Sequence, residues 1–369
     1  MRVLVTGADG FIAQNLRVQL AELKDHEVVS VVRGTTSEQL IEAAREADWV
    51  FHLAGVNRPK LEQEFVAGNL DFTASLCTAL EASGRRIPIF YASSTQAALD
   101  NPYGRSKRAA VDVLSQYGHD TGSPVHVARL TNVFGKWCRP NYNSVVATFC
   151  HNIARGLPIQ VNDPAAELTL VYVDDVVSHM LALLRDHGSS NPMPVGVEPQ
   201  YRISVGALAE QVRAFQNCRT TLMIERVGVG LTRALYSTDV SYLPVQDFVY
   251  DVPSYSDSRG TFAEMLKTAD SGQFSFFTAP PGVTRGGHYH HSKTEKFLVL
   301  QSEAHFRFRH LITGELHDVR TSAAKPQIVE TIPGWVHDIT NVGSQEMIVM
   351  LWANEVFNRA HPDTVAKRL

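Results

Sequence analysis

The chain has 369 residues, 44% hydrophobic and 20% charged, with 34 Lys and Arg against 38 Asp and Glu for a net charge of −4. At about 150 residues per domain this predicts roughly two domains of a soluble globular protein. The missing basic excess excludes a general binder of nucleic acid or anionic membranes, and no apolar run reaches the roughly 18 residues of a transmembrane helix.

The first strand begins at Arg2, which leaves no room for a signal peptide, so a cytoplasmic protein is expected. Cys77, Cys138, Cys150 and Cys218 lie far apart with no CxxC pair, as free thiols of a reducing compartment would. Of 15 histidines, eight fall after residue 287. The end of the chain is therefore expected to do different chemistry from its start.

Arg2–Thr6 reads as a buried strand, Phe11–Leu23 as a helix, His26–Val32 as a strand, Glu38–Ala47 as a helix and Trp49–Ala54 as a third strand. Asn69–Ala82 is helical, Ile87–Ala92 a strand, Tyr103–Tyr117 a helix and Val125–Leu130 a strand. Strands alternating with helices predict a doubly wound, Rossmann-type α/β domain with a parallel sheet. After about residue 245 the pattern changes to short runs: Phe274–Thr278, Lys296–Leu300, His305–Leu311, Gln327–Ile332 and Met347–Trp352. These predict an all-β sandwich or barrel. The expected division is thus residues 1–245 and 246–369.

Thr6-Gly7-Ala8-Asp9-Gly10-Phe11-Ile12-Ala13 lies between the first strand and the first helix. Gly7 permits a tight turn, and Gly10 lets backbone N–H groups of the turn and of Phe11 and Ile12 approach a pyrophosphate at the helix N-terminus. A dinucleotide site is therefore predicted there. An acid at the end of the second strand would bind a ribose 2′-hydroxyl. Val31-Val32-Arg33-Gly34 carries a guanidinium instead, suited to a 2′-phosphate, so NADPH is the expected cofactor.

Pro102-Tyr103-Gly104-Arg105-Ser106-Lys107 opens a helix, with Tyr103 and Lys107 on one face. An ammonium one turn away is expected to lower the phenol pKa, so that Tyr103 can give a proton to a carbonyl oxygen. Ser93-Ser94-Thr95 ends the strand before it and offers a hydroxyl to the same oxygen.

With His52-Leu53-Ala54-Gly55, Asn69, Asn132-Val133-Phe134-Gly135 and Val171-Tyr172-Val173-Asp174-Asp175, residues 1 to about 245 resemble the extended short-chain dehydrogenase/reductases that act on nucleotide sugars. The resemblance implies Ser94, Tyr103 and Lys107 as the catalytic set. It also implies Leu53, Ala54 and Gly55 beside the cofactor, and Asn132 and Lys136 toward a nucleotide sugar. Thr95-Gln96 stands where sugar dehydratases of this family carry an acid–base pair, which disfavours dehydration.

Gly282-Val-Thr-Arg-Gly-Gly-His288-Tyr-His290-His291-Ser-Lys-Thr-Glu295 resembles the first cupin motif, and Pro333-Gly334-Trp335-Val336-His337 with Asn341 resembles the second. This resemblance implies a cupin jelly roll (a double-stranded β-helix). His288, His290, Glu295 and His337 form a donor set for a divalent ion, with zinc preferred among Zn, Fe, Mn and Ni. Ser302 replaces the glycine that usually closes the first motif, and Pro333–His337 is one residue short in the second. Asp257-Ser258-Arg259-Gly260-Thr261-Phe262-Ala263-Glu264 and Arg285-Gly286-Gly287-His288-Tyr289 also resemble the metal-free nucleotide-sugar 3,5-epimerases. In those enzymes the matching histidine is a base, and Arg259 and Glu264 would fall to substrate binding. His288 is thus contested between ligand and base, with ligand preferred because His290 restores a second imidazole.

Taken whole, including Phe134–Val145 and His288–Leu298, the chain resembles the bifunctional capsular-polysaccharide synthesis enzymes. Their cupin half epimerises C3 of UDP-2-acetamido-2,6-dideoxy-β-L-arabino-hexos-4-ulose. Their reductase half then reduces the C4 ketone with NADPH to UDP-N-acetyl-6-deoxy-L-talosamine. A homodimer through the cupin is implied, because such sandwiches pair through edge strands. Three narrower readings stay open: a C4 reductase with a structural, metal-binding and dimerising cupin, an NAD-retaining 4-epimerase, and a cupin that only senses a ligand.

Overall fold

The structure, a computed structural model, describes residues 1–186, 195–252, 254–257, 260–263, 266–268, 272–355 and 360–369. By contacts the chain forms two compact units, Met1–Val133 with Thr169–Arg202, and Phe134–Leu168 with Ile203–Leu369. This differs from a single cut at residue 245. Helices Val145–Ile153, Val205–Thr221 and Gly230–Val240 belong with the β-rich unit.

The first unit is built on a parallel sheet of β1 (Arg2–Thr6), β2 (Glu27–Val31), β3 (Trp49–His52), β4 (Ile89–Ser94) and β5 (Val125–Leu130), in the order β2-β1-β3-β4-β5. β1 and β3 are apolar almost throughout because helices cover both sides of such a sheet. Leu4, Val50, Ile89 and Val127 pack against Leu76, Leu80, Ala110 and Leu114 of helices Phe72–Glu81 and Pro102–Thr121. Their neighbours Val3, Val5, Phe51 and Phe90 alternate to the other face and are fully buried. α1 (Phe11–Glu22) packs against helix Val173–Asp186, and α2 (Ser37–Glu46) starts at a capping box between Thr36 and Gln39. The strand order reverses between β1 and β3. Doubly wound folds bind their ligands in the crevice at the carboxyl ends of the strands at such a point.

The second unit carries two five-stranded antiparallel sheets. One runs Val249–Asp251, Gln327–Glu330, Glu295–Gln301, Met347–Ala353, Gln273–Ala279. The other runs Leu316–Ser322, Glu303–His310, Trp335–Asn341, Thr284–Tyr289, Val365–Ala366. Rings of Phe297 and Phe306, one from each sheet, meet at 5.7 Å between centroids in the core. This is the expected α/β domain followed by an all-β cupin fold. Ser302 has φ +74°, the left-handed conformation a glycine would adopt, and its hydroxyl donates to Asn341 Oδ1 at 3.0 Å. The sheet turns here without the usual glycine.

A buried ionic cluster ties the helices of this unit to its first sheet. Lys296 and Glu330 are ion-paired at 0% and 1% exposure. Arg219 reaches Glu330 at 2.5 Å, Tyr236 donates to Glu330 at 3.2 Å, and the Lys296 ammonium donates to the Tyr250 hydroxyl at 3.1 Å. Removing one partner strands the others without solvent. Glu330→Ala is therefore expected to destabilise the unit by about 3–5 kcal/mol. Urea denaturation checks this, and an unchanged midpoint would show the cluster to be energetically idle.

Candidate functional site

β1 runs into Gly7 at φ +64°, a conformation costly for other residues. A Cβ on Gly7 would also lie only 2.7 Å from Ala54 Cα, so the turn and the exit of β3 meet at backbone distance. Gly10 is the N-cap of α1 and donates its N–H to the Gly7 carbonyl at 2.8 Å. Among the described residues no side chain caps this N-terminus. The first amides of α1, from Phe11 and Ile12, thus face the switch point with the positive end of the helix dipole. Leu53, Ala54 and Gly55 line the other side, and Arg33 is exposed just after β2. His52 at the end of β3 is buried between Thr6 Oγ1 at 2.7 Å and Thr73 Oγ1 at 2.8 Å. Burial and the Lys107 charge push it down to about 3, so it is a neutral brace between elements.

The expected catalytic trio does come together. Ser94 ends β4, and its hydroxyl accepts from Gln96 N–H at 3.2 Å. Asn101 caps helix Pro102–Thr121 through Gly104 N–H at 2.7 Å, with Pro102 in the first turn. A side chain on Gly104 would run into the carbonyls of Gln96 and Leu99. Glycine there lets the helix seat against the strand exit and brings Tyr103 to Ser94. Lys107 donates its ammonium to the Ala92 carbonyl at 2.9 Å and lies 4.6 Å from the Tyr91 ring centroid. Asn69 sits in a π-helical turn, Val66–Asp71, that replaces the start of the expected helix. It donates to Ser106 Oγ at 2.9 Å and to the Val56 carbonyl at 3.0 Å, and accepts from Val56 N–H at 2.8 Å. Such a turn is a frequent mark of a functional segment.

Electrostatics depart from the sequence expectation in one respect. Burial raises the Tyr103 phenol, while its hydrogen bond with Ser94 pulls the other way. Burial also lowers Lys107 to about 8. The expected lowering of Tyr103 by Lys107 is therefore not seen: burial raises the phenol, and the group that pulls it down is Ser94. Tyr103 stays protonated at neutral pH, the state a proton donor requires.

Asn132 is exposed and donates to the Thr169 carbonyl at 3.0 Å. Lys136 is 1% exposed with its ammonium 5.3 Å from the Trp137 ring, so it is no surface charge. Arg259 and Glu264 lie outside the described residues.

In the β-rich unit His288, His290, Glu295 and His337 converge, each with one donor atom within 4.8 Å of the others. Strand pairing sets His288 directly opposite His337, while a bulge after Gly286 re-aims the strand. His290 Nε2 is 3.2 Å and His337 Nε2 3.7 Å from Glu295 Oε2. Neither ring nitrogen of His337 has a hydrogen-bond partner among the described residues, although the side chain is buried. Burial first, then His337 and His290, lower His288 to about 3, and burial lowers His337. Burial alone would raise Glu295, but the imidazoles of His290 and His337 beside its carboxylate hold it well below the usual carboxylate range. Two neutral imidazoles, a third imidazole and a carboxylate around orphaned buried nitrogens fit a divalent cation.

Asn341 of the second motif points elsewhere. It donates to the carbonyls of Ala279 and Gln345 and ties loops together. Sequence reasoning missed Asp363, whose carbonyl meets His290 Nδ1 and whose carboxylate accepts the N–H groups of residues 291–293. No spacing in the sequence signals that contact.

Comparison with known proteins fits this geometry. Residues 3–196 match the model of the NAD dependent epimerase/dehydratase family, and residues 255–365 that of the polysaccharide biosynthesis C-terminal domain. A UDP-2-acetamido-2,6-beta-L-arabino-hexul-4-ose reductase of Pseudomonas aeruginosa is 60% identical, over 99% of this chain and 98% of the relative. The capsular polysaccharide assembling protein CapF of Staphylococcus aureus superposes with a TM-score of 0.70 at 38% identity over 100% of both chains. RMD of Pseudomonas aeruginosa, solved with NADPH, superposes with a TM-score of 0.52 at 27% identity, over 58% of this chain and 82% of that one. The chain belongs to the NAD dependent epimerase/dehydratase family.

Proposed function

We propose that the chain is an NADPH-dependent nucleotide-sugar 4-ketoreductase whose cupin first epimerises C3 of UDP-2-acetamido-2,6-dideoxy-β-L-arabino-hexos-4-ulose. The observation that carries the reading is the Ser94–Tyr103–Lys107 set beside the Gly7 turn, in a chain 60% identical from end to end to a hexul-4-ose reductase. Residues 1–245 and 246–369 are the two functional modules of this reading.

The cofactor, when bound, supplies hydride to C4. The turn from Gly7 to Ile12 would hold its pyrophosphate, and Arg33 a 2′-phosphate. Ser94 positions the ketone oxygen, and protonated Tyr103 delivers its proton there as negative charge develops. Lys107, buried and cationic below about pH 8, holds the nicotinamide ribose and stabilises the phenolate left behind. Asn132 and Lys136 would serve the nucleotide sugar.

In the cupin, the 4-keto group acidifies the C3 proton, so its removal and return through an enediolate inverts that carbon. His288, His290, Glu295 and His337 would hold a divalent ion, most simply zinc, whose chemistry is to polarise a carbonyl or stabilise an enediolate. Arg33 favours this reading over an NAD-retaining epimerase. Edge strand Gln273–Ala279 leaves Phe276 71% exposed, which supports a cupin-mediated homodimer. A cytoplasmic enzyme consuming a UDP-sugar is the consistent setting.

The test is incubation of the full chain with the 4-ulose and NADPH in D2O, followed by product NMR. Deuterium at C3, stoichiometric NADPH oxidation and a 4-hydroxyl product are expected, from a preparation that sediments as a dimer. Reduction without C3 deuterium would reduce the cupin to a structural or sensing module. A monomer would remove the dimer.

A further inference from the structure

We propose that Asp363 is a positioning residue of the histidine cluster: it fixes which nitrogen His290 presents and shapes the turn that returns Glu295 to it. This rests on the metal-binding reading given above.

Three observations converge on it. The Asp363 carbonyl faces His290 Nδ1. A carbonyl can only accept, so Nδ1 carries a proton, and Nε2 is the nitrogen turned to Glu295, 3.2 Å away, the one that would give up its proton to a cation. An imidazole locked in this way is a ready cation ligand, and its outer partner sets both tautomer and orientation. The Asp363 carboxylate then accepts from three consecutive amides, His291 at 2.8 Å, Ser292 at 2.7 Å and Lys293 at 2.8 Å, and from Ser292 Oγ at 3.0 Å. Successive N–H groups converging on one anion form a nest. Here the anion is a side chain of the protein itself, and it holds the bend between His290 and Glu295.

The flanking backbone fastens the other ligand strand. Val365–Ala366 pairs with Thr284–Tyr289, setting Ala366 opposite His288 and Val365 opposite Tyr289, and Lys367 N–H donates to the Gly287 carbonyl at 2.8 Å. One short segment therefore brackets both His288 and His290. An ordinary surface aspartate would have water for partners, whereas this carboxylate satisfies amides that otherwise have to be solvated inside the sandwich.

Asp363→Asn keeps the shape but turns an amide N–H2 toward amide donors, so the nest opens. The expected result, read on the full chain by chelator competition with Co2+ and Zn2+, is a loss of about 10–100-fold in metal affinity. Shifted Co2+ d–d bands should accompany it, because the His290 ring reorients. Ser292→Ala removes one donor and leaves the backbone intact. It should weaken Co2+ binding in the same direction by several-fold, and it carries the test should Asp363→Asn not fold. Wild-type affinity and bands in both variants would overturn the positioning role. A wild-type chain that binds neither metal would instead sink the metal-binding reading itself.

Discussion

Tyr103→Phe should lower NADPH oxidation by about 10²–10⁴-fold, the range a positioned general acid supplies, while leaving C3 deuterium exchange intact. The substitution removes only the phenolic oxygen. That oxygen bonds Ser94 and is kept protonated by burial, so no partner loses a required charge. The ring remains 5.7 Å from Phe65 and the fold should hold. A kcal-scale loss confined to the reduction step marks an interaction made in the transition state. Loss of C3 exchange in a folded variant would break the two-site reading.

The pH profile gives the same prediction a second edge. Lys107 is lowered by burial to about 8, so its ammonium is present below that pH and lost above it. kcat/KM for reduction should therefore fall above about pH 8, although Tyr103, raised by burial, is still protonated there. Lys107→Arg, which stays charged, should move that limb upward even if it lowers the plateau. A limb unmoved by Lys107→Arg would assign the titration to another group.

How much of this could be read from the sequence depended on whether a residue's role was local. The glycine turn and the Tyr103–Lys107 spacing are set by one strand or one helical turn and appear where expected, while the strands expected to end at Ala54 and Ala92 end at His52 and Ser94. The apolar strands Glu295–Gln301 and Met347–Ala353 were equally visible, because both sides of each are enclosed. Leu316–Ser322 was not, since it is an edge strand with Leu316 72% exposed and little apolar alternation to detect. The strand at His288 was readable, but not the bulge that two glycines at positive φ put into Thr284–Tyr289.

Long-range partners left no trace in the sequence. Asp363 reaches back to residues 290–293, and the Lys296–Glu330–Arg219 cluster draws on three distant segments. The pairing of helices 145–153, 205–221 and 230–240 with the β-rich unit follows from that cluster and its neighbours, not from composition. Burial also reversed a local argument. A lysine one turn away predicted a lowered phenol, and the burial of Tyr103 itself raised it.

On the proposed metal-dependent epimerisation, His337→Gln should cost the cupin its cation and abolish C3 exchange, while NADPH-driven reduction of an already epimerised substrate continues. His337 is the cleanest of the proposed ligands to remove, because neither ring nitrogen bonds another described residue and no neighbour is orphaned except across the 3.7 Å to Glu295. The loss of affinity should exceed the roughly 10–100-fold typical of an outer-shell change, since a direct donor is gone. Exchange should fall by at least about 10², with chelator-treated wild type behaving the same way. His288 then separates its two roles. If it is a ligand, His288→Gln loses metal and exchange together. If it is the base, the variant keeps stoichiometric metal and loses exchange alone. Its geometry favours the ligand: its ring centroid is 4.6 Å from that of His337 and 5.0 Å from that of His290, and burial keeps it neutral with a lone pair to offer. Metal-free protein that still exchanges C3 at the wild-type rate would leave the cation a structural role and return the proton transfer to an unligated side chain.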